Sequence, residues 1–123
     1  MLGTSIERKM SEQIINVAKE FTDRPFGRFR KDDNERSGEV FREDMLIPAL
    51  KKHERVIVDL SGSNFYSSSF LEEVFGGLIR SGFKKGELDK KLEIHHKKLP
   101  SLAAESLSYI KDAATSKSWT ISR

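Results

Sequence analysis

The chain lacks cysteine altogether and has only three prolines in 123 residues. Because it has no thiol, it cannot contain a disulfide framework, a thiolate nucleophile or a cysteine-ligated zinc site. Its longest apolar runs are short, such as Val56–Val58, so no segment is predicted to span a membrane. The first ten residues also lack the apolar stretch of a secretory signal. These absences predict a cytoplasmic protein.

Neither positive nor negative charge dominates, because the chain has 22 Lys and Arg residues and 19 Asp and Glu residues, for a net charge of +3. The lysines are concentrated late in the chain, where the cluster comprises Lys84, Lys85, Lys90, Lys91, Lys97 and Lys98. Such a cluster indicates either a solvated surface or contact with an anionic partner such as nucleic acid. The solvated surface is the simpler interpretation, because acidic residues are interleaved and no nucleic-acid-binding motif accompanies the lysines.

The length of the chain suits one domain with a substantial core. Residues 1–11 are polar and are expected to form a disordered start, followed by a domain over residues 12–123. Ile14–Ala18 predicts a first strand, and turn residues at Pro25 and Gly27 connect it to a short second strand at Arg28–Arg30, as a hairpin. Val56–Leu60 shows no polar alternation, which predicts a strand buried on both faces.

The remaining pattern alternates helices with strands. Pro48 is expected to kink or restart the first helix, and Gly76-Gly77 in the second indicates the close approach of a neighbouring element. The predicted helices begin at Ser37, at the serines of residues 67–69 and at Pro100, and further strands are predicted at Leu92–His95 and Trp119–Ile121. This order predicts an α/β domain: a mixed, mostly parallel sheet with an N-terminal hairpin and about three helices packed on it.

Three consecutive serines lie between the buried strand and the second helix. Ser69 and Glu72 have the spacing of a capping box, in which the hydroxyl accepts from a backbone amide and the carboxylate returns to the cap amide. Ser67 and Ser68 are left without a structural role of that kind. Because a helix N-terminus favours anions, a phosphate is a natural occupant of this position.

Several motifs resemble the STAS-like domain family of unknown function, which is related to anti-sigma-factor antagonists. The upstream stretch is Ser37–Arg42, preceded by residues 25–28 and followed by residues 46–50, and the central unit runs from Val56 through Ser67–Glu73 to Leu78. The resemblance covers about residues 12–97. It implies a single STAS-like domain that acts as a non-catalytic regulatory module.

The resemblance also implies a site. In anti-sigma-factor antagonists an Asp-Ser pair at this helix start carries a phosphorylatable serine, and the partner is a histidine-kinase-like ATPase that is also the anti-sigma factor. Aligned on that pair, Ser68 is the candidate phosphoacceptor, and Ser67 stands where those domains carry Asp. Phe70 replaces the usual Gly and is expected to fill part of the surface. The expected partner-binding surface comprises Asn64, Tyr66, Ser67, Ser68, Ser69, Glu72 and Glu73.

Other functions remain as alternatives. Arg28, Glu39 and Arg42 indicate either an internal ion pair or a small-anion or nucleotide site, and the late lysines could serve a nucleic-acid-associated adaptor. No arrangement of residues predicts catalysis, a metal or a cofactor. His95 and His96 are neighbours on a predicted strand and would point to opposite faces, so they cannot jointly bind a metal.

Overall fold

The computed structural model describes residues 11–121, with the side chains of all of them except Asn34 and residues 117–121. The expected disordered start, residues 1–11, lies outside the described residues except for Ser11. The Ser11 carbonyl accepts hydrogen bonds from the amides of Glu54 and Arg55, both at 3.1 Å. Ser11 is therefore held against the start of the neighbouring strand.

Among the described residues, the sheet has three parallel strands in the order β1 (Glu12–Asn16), β2 (Arg55–Asp59) and β3 (Leu92–His95). Its register aligns Ile15 with Val58 and Val58 with Ile94. Both connections step across the sheet in the same direction, so right-handed crossovers place their helices on the same face. The predicted α/β class and largely parallel sheet are confirmed.

The two faces of the sheet differ, which corrects the prediction that β2 is buried on both. Val56 and Val58 are completely buried, whereas Ile57 between them is only half-buried. On the face that carries Ile57, the neighbouring Ile14 is 58% exposed, and Arg55 forms ion pairs with carboxylates of both adjacent strands. The apolar run of β2 therefore packs against helices on one side only.

Six helices accompany the sheet in the described residues. They are α1 (Val17–Glu20), α2 (Arg30–Asp33), α3 (residues 38–52), α4 (residues 68–80), α5 (Lys85–Lys91) and α6 (Pro100–Ile121), with a 3-10 turn at Asn34–Arg36. Within α3 the segment Phe41–Leu46 is π-helical, and within α4 the segment Glu72–Gly76 is π-helical. The α-helical geometry of α3 resumes at Ile47, which places Pro48 in a first turn where its missing N–H is tolerated. The expected restart at Pro48 is confirmed.

The expected N-terminal hairpin does not form among the described residues. Arg28–Arg30 contains no strand, and β1 pairs with β2 instead. The carbonyls of Gly27 and Arg28 accept the amides of Gly38 and Glu39, at 2.9 and 3.0 Å. The loop is thereby committed to the start of α3, and its backbone is no longer available for pairing with β1.

Two further elements differ from the prediction. Residues 119–121 lie in the last turns of α6, not in an edge strand. Helix α5 carries three of the six late lysines, Lys85, Lys90 and Lys91, and Leu88 is its buried anchor. The sequence prediction treated this segment only as a charged stretch. A single apolar residue in seven is too weak a pattern to indicate a helix from the sequence.

The core lies between the helices and one face of the sheet. An aromatic cluster fills its end nearest the serines, where the ring centroids of Phe21 and Phe41 are 5.3 Å apart and those of Phe41 and Phe70 are 6.4 Å apart. Tyr66 joins this cluster at 6.1 Å from Phe70. The buried side chains of Tyr66 and Phe70 thus anchor the segment of residues 65–70 to the core.

Candidate functional site

The start of α4 is capped by Ser67, not by Ser69 as the sequence pattern predicts. The Ser67 hydroxyl accepts the amide of Phe70 at 2.9 Å, and it donates to the carbonyl of Phe26 at 2.7 Å. Helix α4 therefore begins at Ser68, two residues earlier than a Ser69 cap would allow. Glu72 does not return to the cap, because its carboxylate binds arginines instead.

The loop at residues 25–28 supports the starts of α3 and α4. The Pro25 carbonyl accepts the Ser67 amide at 3.0 Å, in addition to the bonds that Gly27 and Arg28 make to the start of α3. Helix N-termini leave backbone amides without intrahelical partners, and these carbonyls satisfy several of them. The segment from Pro25 to Arg28 is thus the structural support of the serine cluster.

The cap assignment predicts different effects for the three serines. Ser67→Ala is expected to lower the free energy of unfolding by about 0.5–2 kcal/mol, because it leaves the Phe70 amide without its acceptor. Ser68→Ala and Ser69→Ala should change it by less than about 0.5 kcal/mol, as surface substitutions. Urea unfolding of the three variants measures this, and a larger loss for Ser69→Ala than for Ser67→Ala would contradict the assignment.

The exposed part of the site is smaller than predicted and contains two aromatic rings. Asn64 and Ser68 are exposed and Ser67 and Ser69 are half-buried, while Phe65 is 75% exposed and Phe26 is 52% exposed. We call the surface formed by Phe26, Asn64, Phe65, Ser67, Ser68 and Ser69 the docking face. The hydrogen bond from Ser67 to Phe26 joins its two segments.

Two residues of the predicted surface are buried. Tyr66 is 8% exposed and donates its hydroxyl to the Leu60 carbonyl at 2.8 Å. Burial raises the pKa of Tyr66 far above its ordinary value, and the charge of Asp59 adds to this rise. Glu73 is 6% exposed and pairs with Arg42 in the interior. Neither side chain is available to a partner, because each is buried and its polar group is hydrogen-bonded inside the protein.

Phe70 also departs from its expected position. It is 1% exposed and belongs to the aromatic cluster of the core. It therefore does not fill part of the surface as expected. The exposed aromatic ring in this segment is Phe65, which the sequence prediction omitted from the site.

Helix α6 borders the docking face through Tyr109. Its hydroxyl donates to a Glu105 carboxylate oxygen at 2.5 Å. Burial and, to a smaller extent, the hydrogen bond to Glu105 and its charge raise the pKa of Tyr109 to about 12, while an interaction with the Ser68 hydroxyl acts in the opposite direction. Ser68 is thus exposed to solvent and also lies next to Tyr109, which belongs to a segment about 40 residues further along the chain.

Glu72 is the centre of an ion-pair network beside the docking face. Arg28 Nη1 lies 2.6 Å from Glu72 Oε1, and Arg80 Nη1 lies 2.8 Å from Glu72 Oε2. Partial burial favours the protonated acid, but the hydrogen bonds from Arg80 and Arg28 outweigh it and hold the pKa of Glu72 below its ordinary value. The carboxylate is thus charged and fully occupied by internal partners.

Of the two interpretations of Arg28, Glu39 and Arg42, the structure supports the internal ion pair over the anion site, with Glu72 and Glu73 as the carboxylate partners in place of Glu39. Arg42 Nη1 donates to the Glu73 backbone carbonyl at 2.6 Å and to Glu73 Oε2 at 2.7 Å, and Arg28 approaches Glu73 Oε1 at 3.3 Å. Glu39 instead accepts the Arg30 amide at 2.9 Å. The two arginines are neutralised by internal carboxylates, which leaves no free cationic site for a ligand at this point.

The same buried pair explains one of the glycines in α4. A Cβ added at Gly77 would collide with Arg42 Nη1 and with the guanidinium carbon. Gly76-Gly77 predicted that a neighbouring element lies close to this helix. The group that lies close to Gly77 is the Arg42 side chain, which crosses the helix there. Both π-helical segments flank this crossing, since Arg42 lies in one and Glu73 in the other.

The described residues contain no cluster of three or more His, Asp or Glu side chains that could hold a metal ion. Within the same part of the chain, no helix has the length and apolar character needed to cross a bilayer. His95 is 52% exposed in its side chain and His96 is buried, on opposite sides of the chain.

The main omissions of the sequence prediction are Phe26, Phe65 and Tyr109. The sequence did contain a signal for the first two. Phe26 lies between the turn residues Pro25 and Gly27, and Phe65 follows the turn residues 62–64, so neither is on a strand or helix face that could bury it. Tyr109 had no such signal, because its position beside Ser68 depends on how α6 packs.

Comparison with known proteins identifies the family. The family model described as the STAS-like domain of unknown function (DUF4325) matches residues 37–101, which is more than half of the chain. No curated protein and no solved structure matches significantly. The matched segment begins at the Ser37 cap of α3 and contains β2, the serine cluster, α4, α5 and β3. The chain therefore belongs to the family of STAS-like domains of unknown function.

Proposed function

We propose that the chain is a non-catalytic regulatory module that binds a partner protein through the docking face. The observation that carries this proposal is the pair of exposed phenylalanines, Phe26 and Phe65, at 52% and 75% exposure beside an exposed helix start. Aromatic residues are enriched among the residues that dominate binding energy in protein interfaces.

The rigidity of the docking face supports the same proposal. Ser67 is bonded to both Pro25 and Phe26, and Tyr66 is anchored in the core by its bond to Leu60. A surface that is already ordered loses little conformational entropy on binding. The two phenyl rings are thus presented on a fixed backbone.

The partner we propose is a histidine-kinase-like ATPase, which is the partner that the resemblance to anti-sigma-factor antagonists implies. The competing adaptor for nucleic acid receives less support from the structure. Lys85 pairs with Asp89 at 3.1 Å, and the Lys91 ammonium donates to the Leu50 carbonyl at 2.6 Å, so part of the lysine cluster is already occupied internally.

Binding to a histidine-kinase-like ATPase tests the proposal. Phe65→Ala and Phe26→Ala are expected to weaken binding by ten-fold or more each, as measured by calorimetric titration, because each removes an apolar anchor. Ile14→Ala is the matched control, since the exposure of Ile14, 58%, lies between those of Phe26 and Phe65, but Ile14 is on the sheet face away from the helices. Wild-type affinity in both phenylalanine variants would contradict the docking face.

We further propose Ser68 as the phosphoacceptor that switches this interaction. It is the first residue of α4, where backbone amides without intrahelical partners favour an anion. A phosphate would add about −1.5 to −2 charges at the centre of the docking face, which an apolar partner surface would have to desolvate.

The switch is tested with the same ATPase, Mg²⁺ and ATP. We expect a mass gain of one phosphoryl group on the peptide that contains residues 67–69, its loss in Ser68→Ala, and at least ten-fold weaker binding of Ser68→Asp. Ser69→Ala should still be modified. A stable complex with no mass gain would reject the switch and leave the docking function in place.

A further inference from the structure

A cleft of about 490 Å³ lies at the carboxyl end of the sheet, where it shares Asn64 and Phe65 with the docking face but does not include Ser67, Ser68 or Ser69. Its walls are the segment that follows β2, residues 61–65, and the segment that follows β3, residues 96–98, with Asp23 at the rim. The volume is within the range of small-molecule sites.

Buried His96 holds the two walls together. Its Nε2 lies 2.8 Å from the Ser63 carbonyl, and its Nδ1 accepts the amides of Lys98 and Leu99 at 3.1 and 3.0 Å. Two amide donors at Nδ1 require the proton to be on Nε2, which then donates to Ser63. The neutral ring, only 5% exposed, therefore bridges both walls of the cleft.

A second bridge fixes the same walls nearer the sheet. The Ser61 hydroxyl accepts the Lys97 amide at 2.9 Å, while the Ser61 carbonyl accepts from the Asn16 side chain at 3.1 Å. Gly62 follows at a φ of +103°, a conformation that a side chain would strain. The cleft is thus formed by the fold before any ligand arrives.

The lining combines cations with one aromatic surface. Lys97 and Lys98 are exposed, and within residues 11–121 neither ammonium group has an ion-pair partner. Asp23 is the one acidic side chain of the lining, so the cleft carries an excess of one positive charge. Phe65, at 75% exposure, presents a ring face that has no aromatic partner in the described core cluster.

We propose that this cleft binds a small aromatic anion, a flat ring that carries a phosphate or carboxylate group. The anionic group would lie between Lys97 and Lys98, where a partly enclosed surface strengthens charge attraction. The ring would stack on Phe65, an arrangement that aromatic pairs favour. The proposal does not depend on the docking function, although an occupied Phe65 would be less available to a protein partner.

Nuclear magnetic resonance titration with three probes tests the cleft: inorganic phosphate, phenyl phosphate and benzoate. We expect phenyl phosphate to shift the amide signals of residues 61–65 and 96–98 in a saturable manner and to bind at least three-fold more tightly than inorganic phosphate. Benzoate distinguishes a carboxylate ligand from a phosphate ligand by its affinity relative to phenyl phosphate.

Substitutions distinguish binding in the cleft from non-specific attraction to the net charge of the protein. Lys97→Ala/Lys98→Ala is expected to weaken phenyl phosphate binding by ten-fold or more, and Phe65→Ala to weaken it by three-fold or more without affecting inorganic phosphate. Lys52→Ala/Lys90→Ala removes the same charge at the opposite end of the sheet, where these exposed residues lie near the starts of β2 and β3.

Two results would overturn the proposal. One is the absence of saturable shifts at the cleft with both aromatic probes. The other is an equal loss of affinity in Lys52→Ala/Lys90→Ala, which would reduce the binding to net charge. Because these measurements use no protein partner, they are independent of whether the ATPase binds the docking face.

Discussion

Replacing Glu73 by glutamine is expected to lower the free energy of unfolding by about 3–5 kcal/mol, because it leaves a buried guanidinium without its counter-charge. The Arg42 side chain is only 9% exposed, and its Nη1 makes its two shortest bonds to the Glu73 carboxylate and carbonyl. Arg42 Nε is already buried without a hydrogen-bond partner in the part of the chain that the structure describes. Few other groups are therefore available to compensate, apart from the partly exposed Glu43 at 3.0 Å. Urea unfolding followed by circular dichroism measures the loss.

Glu72→Gln provides the matched control. Glu72 is the adjacent residue, its side chain is 25% exposed, and its partners Arg28 and Arg80 are themselves 31% and 47% exposed. Water can solvate these arginines after the substitution, so a loss of about 1 kcal/mol or less is expected. Equal losses in Glu72→Gln and Glu73→Gln would contradict the view that burial makes Glu73 the critical carboxylate.

The second large effect distinguishes the two phenylalanines that flank the serine cluster. Phe70→Ala is expected to cost about 3–5 kcal/mol, because the ring is 1% exposed and packs against Phe21, Phe41 and Tyr66. Phe65→Ala should change the free energy of unfolding by less than about 0.5 kcal/mol, because its ring is 75% exposed. Thermal and urea unfolding of the two variants provide the comparison.

The Phe65→Ala and Phe70→Ala variants also distinguish a loss of partner binding from a loss of stability. Phe65→Ala should retain the folded state and lose affinity for the partner, whereas Phe70→Ala should lose stability first. Partner affinity of Phe70→Ala, measured in urea-free buffer on the folded fraction, is expected to stay within about three-fold of wild type. A Phe65→Ala variant that unfolds as readily as Phe70→Ala would remove the basis for assigning Phe65 to the docking face.

Much of the architecture follows from local patterns. The stripe Phe70, Leu71, Val74, Phe75 and Leu78 has helical spacing, and the structure buries every one of these side chains. The strand at Leu92–His95 and the helix that begins after Ser37 form as predicted, because periodicity and capping are properties of contiguous residues.

The site was predicted less accurately than the fold. Ser67 and Ser69 are equally suitable caps by residue type, and the carbonyls of Pro25 and Phe26, some 41 residues away from Ser67, favour Ser67. Capping patterns describe only the neighbouring residues, so they cannot include such a contact. The same reason explains the missing hairpin, since the loop that would follow its turn is bonded to helix starts instead.

The sequence by itself determined that this is an α/β domain with a serine-rich helix start after its central strand, and it indicated the STAS-like family. Tertiary structure alone decided the orientation of the side chains at that helix start. Glu73 is buried because Arg42, 31 residues away, crosses α4 at Gly77, and Phe65 is exposed because Tyr66 and Phe70 occupy the core. Local patterns set which residues form an element, whereas contacts between distant segments set which of its residues face the partner.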